Sequence, residues 1–194
     1  IHVHQDAGPV FTVPDAYSHG VVVGCYTDCS YDAKEYQYMR SQNLVIKGVR
    51  DGVGFPILRG NEQKNLLITV PTGTTLSLSN VQLDRGGIVN RGTLQVQDVQ
   101  FEWTIAYAIH NYGTLSASDT TFRYTRTINQ NNGISNFSRC TFANNTAVSI
   151  NNDDDAGIVH VMQSTFERNV DVSIESRGMT IIDDCTFQNN QLFS

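Results

Sequence analysis

Apolar and polar positions alternate in a fixed phase along the second half of the chain. After Gly92, small or apolar residues fall at the second, fourth, seventh and ninth places: Leu94, Val96, Val99 and Phe101. After Gly178 the same places hold Thr180, Ile182, Cys185 and Phe187. A period of two with a phase slip after the fourth place predicts two short strands joined by a bend. No 3.6-residue period accompanies it.

The pattern repeats. Gly92, Gly113, Gly133, Gly157 and Gly178 follow one another at spacings of 21, 20, 24 and 21 residues, and nine residues after each stands Phe101, Phe122, Phe142, Phe166 or Phe187. Two residues before each Gly is Asn90, Asn111, Asn131, Asp155 or Ser176; three after each Phe is Thr104, Thr125, Asn145, Asn169 or Asn190. A weaker copy begins at Gly73, with Leu76 and Leu83 in the Leu and Phe places. A copy this short has no room for a strand plus a helix, so the period predicts an all-β, right-handed parallel β-helix with rungs of 20–24 residues. Phe and Leu columns should stack along its axis and an Asn column should line a corner. Asn or Asp before Gly is expected to supply left-handed backbone angles at a bend. Asn43–Gly48 and Asn65–Val70 read as strands of earlier rungs, and Asp32–Gln42 as a short helix or excursion. No linker interrupts the chain. The expectation is one domain, 1–194, of about eight rungs, with 44–194 regular and 1–43 an N-terminal rung and cysteine loop.

Composition narrows the partners. Charged residues are only 16% of the 194, against a usual ~25%. The polar remainder is rich in neutral Asn (17) and Thr (18), which does not suit a disordered tail. The net charge is −6 with three lysines, Lys34, Lys47 and Lys64, which argues against nucleic acid and against a polybasic membrane patch. Apolar runs such as Val21-Val22-Val23 are far short of a membrane span of ~20 residues. Without a leader at Ile1, the chain reads as a mature or trimmed product.

Gly86-Gly-Ile-Val-Asn90, Arg91-Gly-Thr-Leu94, Cys140-Thr-Phe-Ala-Asn-Asn145 and Cys185-Thr-Phe-Gln-Asn-Asn190 resemble the repeats of polymorphic outer-membrane-protein adhesins. Those families carry Phe-x-x-Asn and Gly-Gly-[Ala/Leu]-Ile signatures on right-handed parallel β-helices. The resemblance covers roughly residues 44–194. It implies the fold and, more distantly, an adhesive surface role, since such rungs occur in adhesins, polysaccharide enzymes and structural proteins alike.

Cys140 and Cys185 share the seventh place after Gly, with Ser164 between them. Two rungs at ~4.8 Å separate them by roughly 10 Å, beyond the ~7 Å Cα reach of a disulfide, so two buried thiols are expected. Cys25 and Cys29, close together in a polar stretch, are expected to close a small disulfide, which implies an oxidising extracellular compartment. Asn136-Phe-Ser138 and Asn144-Asn-Thr146 are glycosylation sequons if the source is a eukaryote.

Polysaccharide enzymes on this fold need clustered carboxylates, often with calcium or a basic residue. The candidates are Asp153-Asp154-Asp155, in the longest spacing, and Asp183-Asp184. Both read more simply as turns, because Asp184 shares its column with Asp98, Asp119, Arg139 and Gln163. Asp119 and Arg139 should form a surface pair. His2 and His4 alternate on one face of a strand and read as an exposed edge. The outward column Gln100, Thr121, Thr141, Thr165 and Thr186 reads as β-propensity packing, with ice binding as a minor alternative. No catalytic constellation, metal site or cofactor is expected.

The outward places of the long strands start polar (Thr93, Gln95, Gln97) and turn apolar: Ile134, then Ile158, His160 and Met162, then Met179 and Ile181. Together with abrupt chain ends, this predicts self-association, head-to-tail or lateral. The leading expectation is a non-enzymatic, extracellular structural or adhesive β-helix that assembles with itself and meets other surface proteins or glycans. The alternative is a polysaccharide-binding or polysaccharide-active β-helix.

Overall fold

The computed structural model describes residues 2–4, 22–26, 43–49, 55–59, 65–104, 107–125, 127–130 and 132–191, and every regular element among them is a strand. Each complete turn carries three strands. One turn comprises Thr93–Gln97, Gln100–Glu102 and Tyr107–Asn111, and the next Thr114–Ser118, Thr121–Arg123 and Thr127–Gln130. Stacking produces a long-strand sheet of eight strands and two further sheets of seven each. The result is a parallel β-solenoid of about six turns.

Two expectations are corrected here. The repeat holds three strands rather than two, because the third falls between a corner of variable length and the Gly. Its outward places alternate too weakly to be read: Ala108 and Ile109 are both buried, with a shift of register between Tyr107 and Ile109. Among the described residues about six turns are seen against the expected eight, and the first described strands do not form regular rungs. Val22–Tyr26 runs antiparallel to Asn65–Val70, and His2–His4 pairs with Lys47–Val49. The expected helix at Asp32–Gln42 lies outside the described residues.

The predicted columns stand in register. Leu76, Leu94 and Leu115 pair directly, as do Phe101, Phe122, Phe142, Phe166 and Phe187. Neighbouring rings stack at centroid distances of 4.9, 5.1, 4.6 and 4.7 Å and stay within 12° of parallel. Volume is balanced between files. Where the fourth place shrinks to Ala117, the next rung supplies Phe137, whose ring meets Phe122 and Phe142 edge-on at 6.2 and 5.6 Å.

The corners work differently from the expectation. Of the Asn and Asp residues before the repeat glycines, Asn132 is left-handed, at φ 56°. Most left-handed residues form two other columns: Asp98, Asp119, Arg139, Gln163 and Asp184 after the long strand, and Arg85, Trp103, Tyr124, Asn144, Arg168 and Asn189 after the short one, all at φ of 50–55°. Asn90 and Asn111 are instead fully buried strand residues. Asn90 Nδ2 donates to Asn111 Oδ1 at 2.6 Å, and Asn111 Nδ2 donates to Ser135 Oγ at 3.0 Å. Gln130 and Asn152, rather than Asn131 and Asp155, continue that column in register. The extra residues before Gly133 and Gly157 displace the simple count. Gly113 is required for close approach: a Cβ there would overlap the Gly92 carbonyl oxygen.

A second ladder explains the Phe-x-x-Asn signature. Asn145 Oδ1 accepts from the Thr125 N–H and hydroxyl, both at 3.0 Å, while Nδ2 donates to the Phe122 carbonyl. Asn169 and Asn190 repeat the arrangement one and two rungs on. The corner backbone thus stays satisfied without water, as a buried turn must.

Cys140 and Cys185 are both free thiols. The Cys140 N–H donates to Ser164 Oγ of the intervening rung at 3.0 Å. Burial pushes the Cys140 thiol up to about 11. Since the thiolate is the nucleophile, Cys140 should resist iodoacetamide at pH 8 in the native protein and react once guanidinium unfolds it. Rapid native labelling would contradict the inward column. The same shift makes a stability contribution that is intact below pH ~9, where an unfolded thiol starts to ionise, and declines as pH rises towards about 11.

Candidate interaction surfaces

Outward positions of the long-strand sheet form three files. The first runs Thr93, Thr114, Ile134, Ile158 and Met179; the middle runs Gln95, Ser116, Asn136, His160 and Ile181; the third runs Gln97, Ser118, Ser138, Met162 and Asp183. Ile134, Met162, Met179 and Ile181 are exposed, and Ile158 and His160 half-buried. The six residues singled out as a candidate interface therefore lie on one face of three consecutive turns. The sequon residue Asn136 sits in the middle of that face, within Ile134–Ser138. Asn144 occupies a left-handed corner instead, with Thr146 exposed.

The other sequence candidates are dispersed. Asp119 receives both Nε and Nη2 of Arg139, at 2.7 and 2.8 Å, and these hydrogen bonds hold its carboxyl below the usual carboxylate range. Such an exposed, solvent-screened pair contributes little to stability. Asp154 Oδ1 accepts from the Ala156 N–H and its carbonyl from Gly157, so it closes a turn; Asp153 meets Arg177 at 3.5 Å. Asp183 and Asp184 diverge, one onto the long-strand face and one into a corner. Among the described residues no three His, Cys, Asp or Glu side chains are grouped to hold a metal ion. Thr121, Thr141, Thr165 and Thr186 stack in register on the short-strand sheet. His2 and His4 belong to a short strand. Cys25 lies in the strand Val22–Tyr26 rather than in a loop, and Cys29, hence the expected Cys25–Cys29 closure, lies outside the described residues.

Sequence reasoning missed a second surface. Trp103 and Tyr124 occupy successive left-handed corners and stack at 4.4 Å, within 11° of parallel. Beside them Arg123 Nε donates to Glu102 Oε1 at 2.6 Å. Around the next corner, the register shift turns Tyr107 outward, against His110 at 5.0 Å; His110 lies 4.3 Å from Tyr112. The Arg91 guanidinium sits over the Tyr112 ring, 5.0 Å from its centroid. Burial, reinforced by Arg91, pushes the His110 pKa below its ordinary value, so the imidazole is neutral at pH 7. Trp103, Tyr107, Tyr112 and Tyr124 are all exposed. Their clustering within 103–124, two of them two places after the Phe column, was the available signal.

Comparison with family models, curated proteins and solved structures returns no match.

Proposed function

We propose that the chain is a non-catalytic, extracellular structural or adhesive β-solenoid, similar in design to polymorphic outer-membrane-protein adhesins, that associates laterally with a second copy of itself. The observation that carries this reading is the apolar face of exposed Ile134, Met162, Met179 and Ile181 and half-buried Ile158 over three consecutive turns. Contiguous exposed apolar surface usually marks an interface. A second copy suits it because the files repeat at the rung spacing of ~4.8 Å, so an identical file interdigitates with it, and a two-fold arrangement closes the contact. A non-catalytic role is supported by the carboxylates that hydrogen-bond or pair with neighbours: Glu102 with Arg123, Asp119 with Arg139, and Glu167 with Arg168 and Gln188.

The double variant Ile158→Asp/Ile181→Asp tests it. Light scattering of the native protein at high concentration should show a species above monomer mass, and the variant should remain monomeric with an unchanged circular dichroism spectrum. A monodisperse native monomer refutes self-association; equal assembly by the variant places the contact elsewhere. A glycan on Asn136 should block the contact as the aspartates do, whereas one on Asn144 should not.

A further inference from the structure

We infer that the aromatic arc of Tyr107, His110 and Tyr112, with Arg91, is a binding site for an acidic saccharide, its sugar rings packing on the aromatic side chains and its carboxylate or sulfate accepting from the Arg91 guanidinium. The inference is independent of self-association, because the arc lies on the corner and third sheet rather than on the long-strand face.

Three observations converge on it. The first is composition. Trp and Tyr combine a large apolar surface with a polar tip, and they gather where a ligand is apolar on one side and wet on the other. A sugar ring is such a ligand, with C–H groups on its faces and hydroxyls on its rim. The second is construction. The register shift between Tyr107 and Ile109 is a local irregularity of the kind that re-aims a side chain next to a site, and it turns Tyr107 to the same side as His110 and Tyr112. The three rings follow one another at 5.0 and 4.3 Å, a continuous aromatic surface on which a sugar ring can pack. The third is charge. The chain carries −6 overall, yet Arg91 has no carboxylate partner among the described residues and rests on the Tyr112 face. The neighbouring His110 is neutral. One positive charge therefore remains to receive an anion, held by the Tyr112 ring in a fixed position.

Binding should be followed by isothermal titration calorimetry with oligogalacturonate, with a chondroitin sulfate oligosaccharide, with a neutral cello-oligosaccharide of equal length, and with poly-glutamate. The experiment is run on the Ile158→Asp/Ile181→Asp background as well as on native protein, so that failure of assembly and failure of binding are read separately. Saturable binding is expected with at least one of the two acidic saccharides, which separates carboxylate from sulfate. Arg91→Ala and Tyr112→Ala should each weaken it at least tenfold with circular dichroism unchanged. Tyr107→Phe should preserve most of the affinity, and Tyr107→Ala should lose it. Three results overturn the proposal: no saturable binding of either acidic saccharide, equal affinity for the neutral one, or undiminished binding by Arg91→Ala. Binding of poly-glutamate as tight as that of the saccharides also overturns it, marking the arc as a protein-docking or general polyanion surface.

Discussion

Replacing Phe142 by Ala should lower the unfolding free energy by about 3–5 kcal/mol, measured by guanidinium or urea denaturation. The ring is fully buried and touches three others. It is stacked between Phe122 and Phe166 at 5.1 and 4.6 Å, and the Phe137 edge meets it at 5.6 Å. Truncation removes the transfer energy of the ring and leaves a void that backbone pairing on both sides cannot collapse. Phe142→Leu should recover part of the loss, since it restores volume without the stack. A cost under ~1 kcal/mol for the Ala variant would mean the column does not bear on the core. In a solenoid each turn touches only its neighbours, so the loss should be confined to the central turns, with the Phe122 and Phe166 amides losing protection first in hydrogen exchange.

Asn145→Leu should be at least as damaging, for the opposite reason. It adds apolar volume and still destabilises, by about 3 kcal/mol or more. The amide oxygen serves the N–H and hydroxyl of Thr125, and the amide nitrogen serves the Phe122 carbonyl. Thr125 is buried, so these groups have no water to turn to. Each buried group left without a partner costs about 1–3 kcal/mol. The exposed, outward Gln97→Leu is the control and should stay within about 0.5 kcal/mol. Denaturation midpoints of the two variants decide the matter: a similar small shift for both would remove the ladder from the account of stability.

These two residues also show what a reader of the sequence can recover. The Phe column is legible because an inward position in every turn has one requirement, apolar bulk, and a constant distance from Gly keeps it in phase. Asn145, Asn169 and Asn190 are legible as a column for the same reason, although their hydrogen bonds are not. The third strand is hidden because the corner before it changes length from turn to turn, which destroys a fixed count, and because a register shift places Ala108 and Ile109 inward together. The Asn or Asp before Gly suggested left-handed backbone, which holds at Asn132, whereas Gly113 answers to a carbonyl oxygen of the adjacent turn, a distance between residues some twenty apart. The other left-handed angles fall where Asp and Asn alternate with Arg, Gln, Trp and Tyr, and only Asp and Asn carry that signal in the sequence. The apolar outward face was legible because three files change character at the same turn. The aromatic arc was not, because Tyr107 and Tyr112 occupy different columns and are joined through His110 only by the register shift beside Tyr107.

The two left-handed corner columns have a consequence for how this molecule can change over time. At each corner the backbone angle is held by the strands on either side, and the side chain projects away from the core. Arg85, Trp103, Tyr124, Asn144, Arg168 and Asn189 share one geometry and nothing else. The fold therefore behaves as a pegboard with holes at a ~4.8 Å pitch. A recognition group can be moved up or down the axis by a single codon change, or repeated to lengthen a site, without repacking an interior residue. Selection on such a surface acts almost independently of selection on folding, so chains sharing this interior can diverge in what they hold while the ladders beneath stay the same.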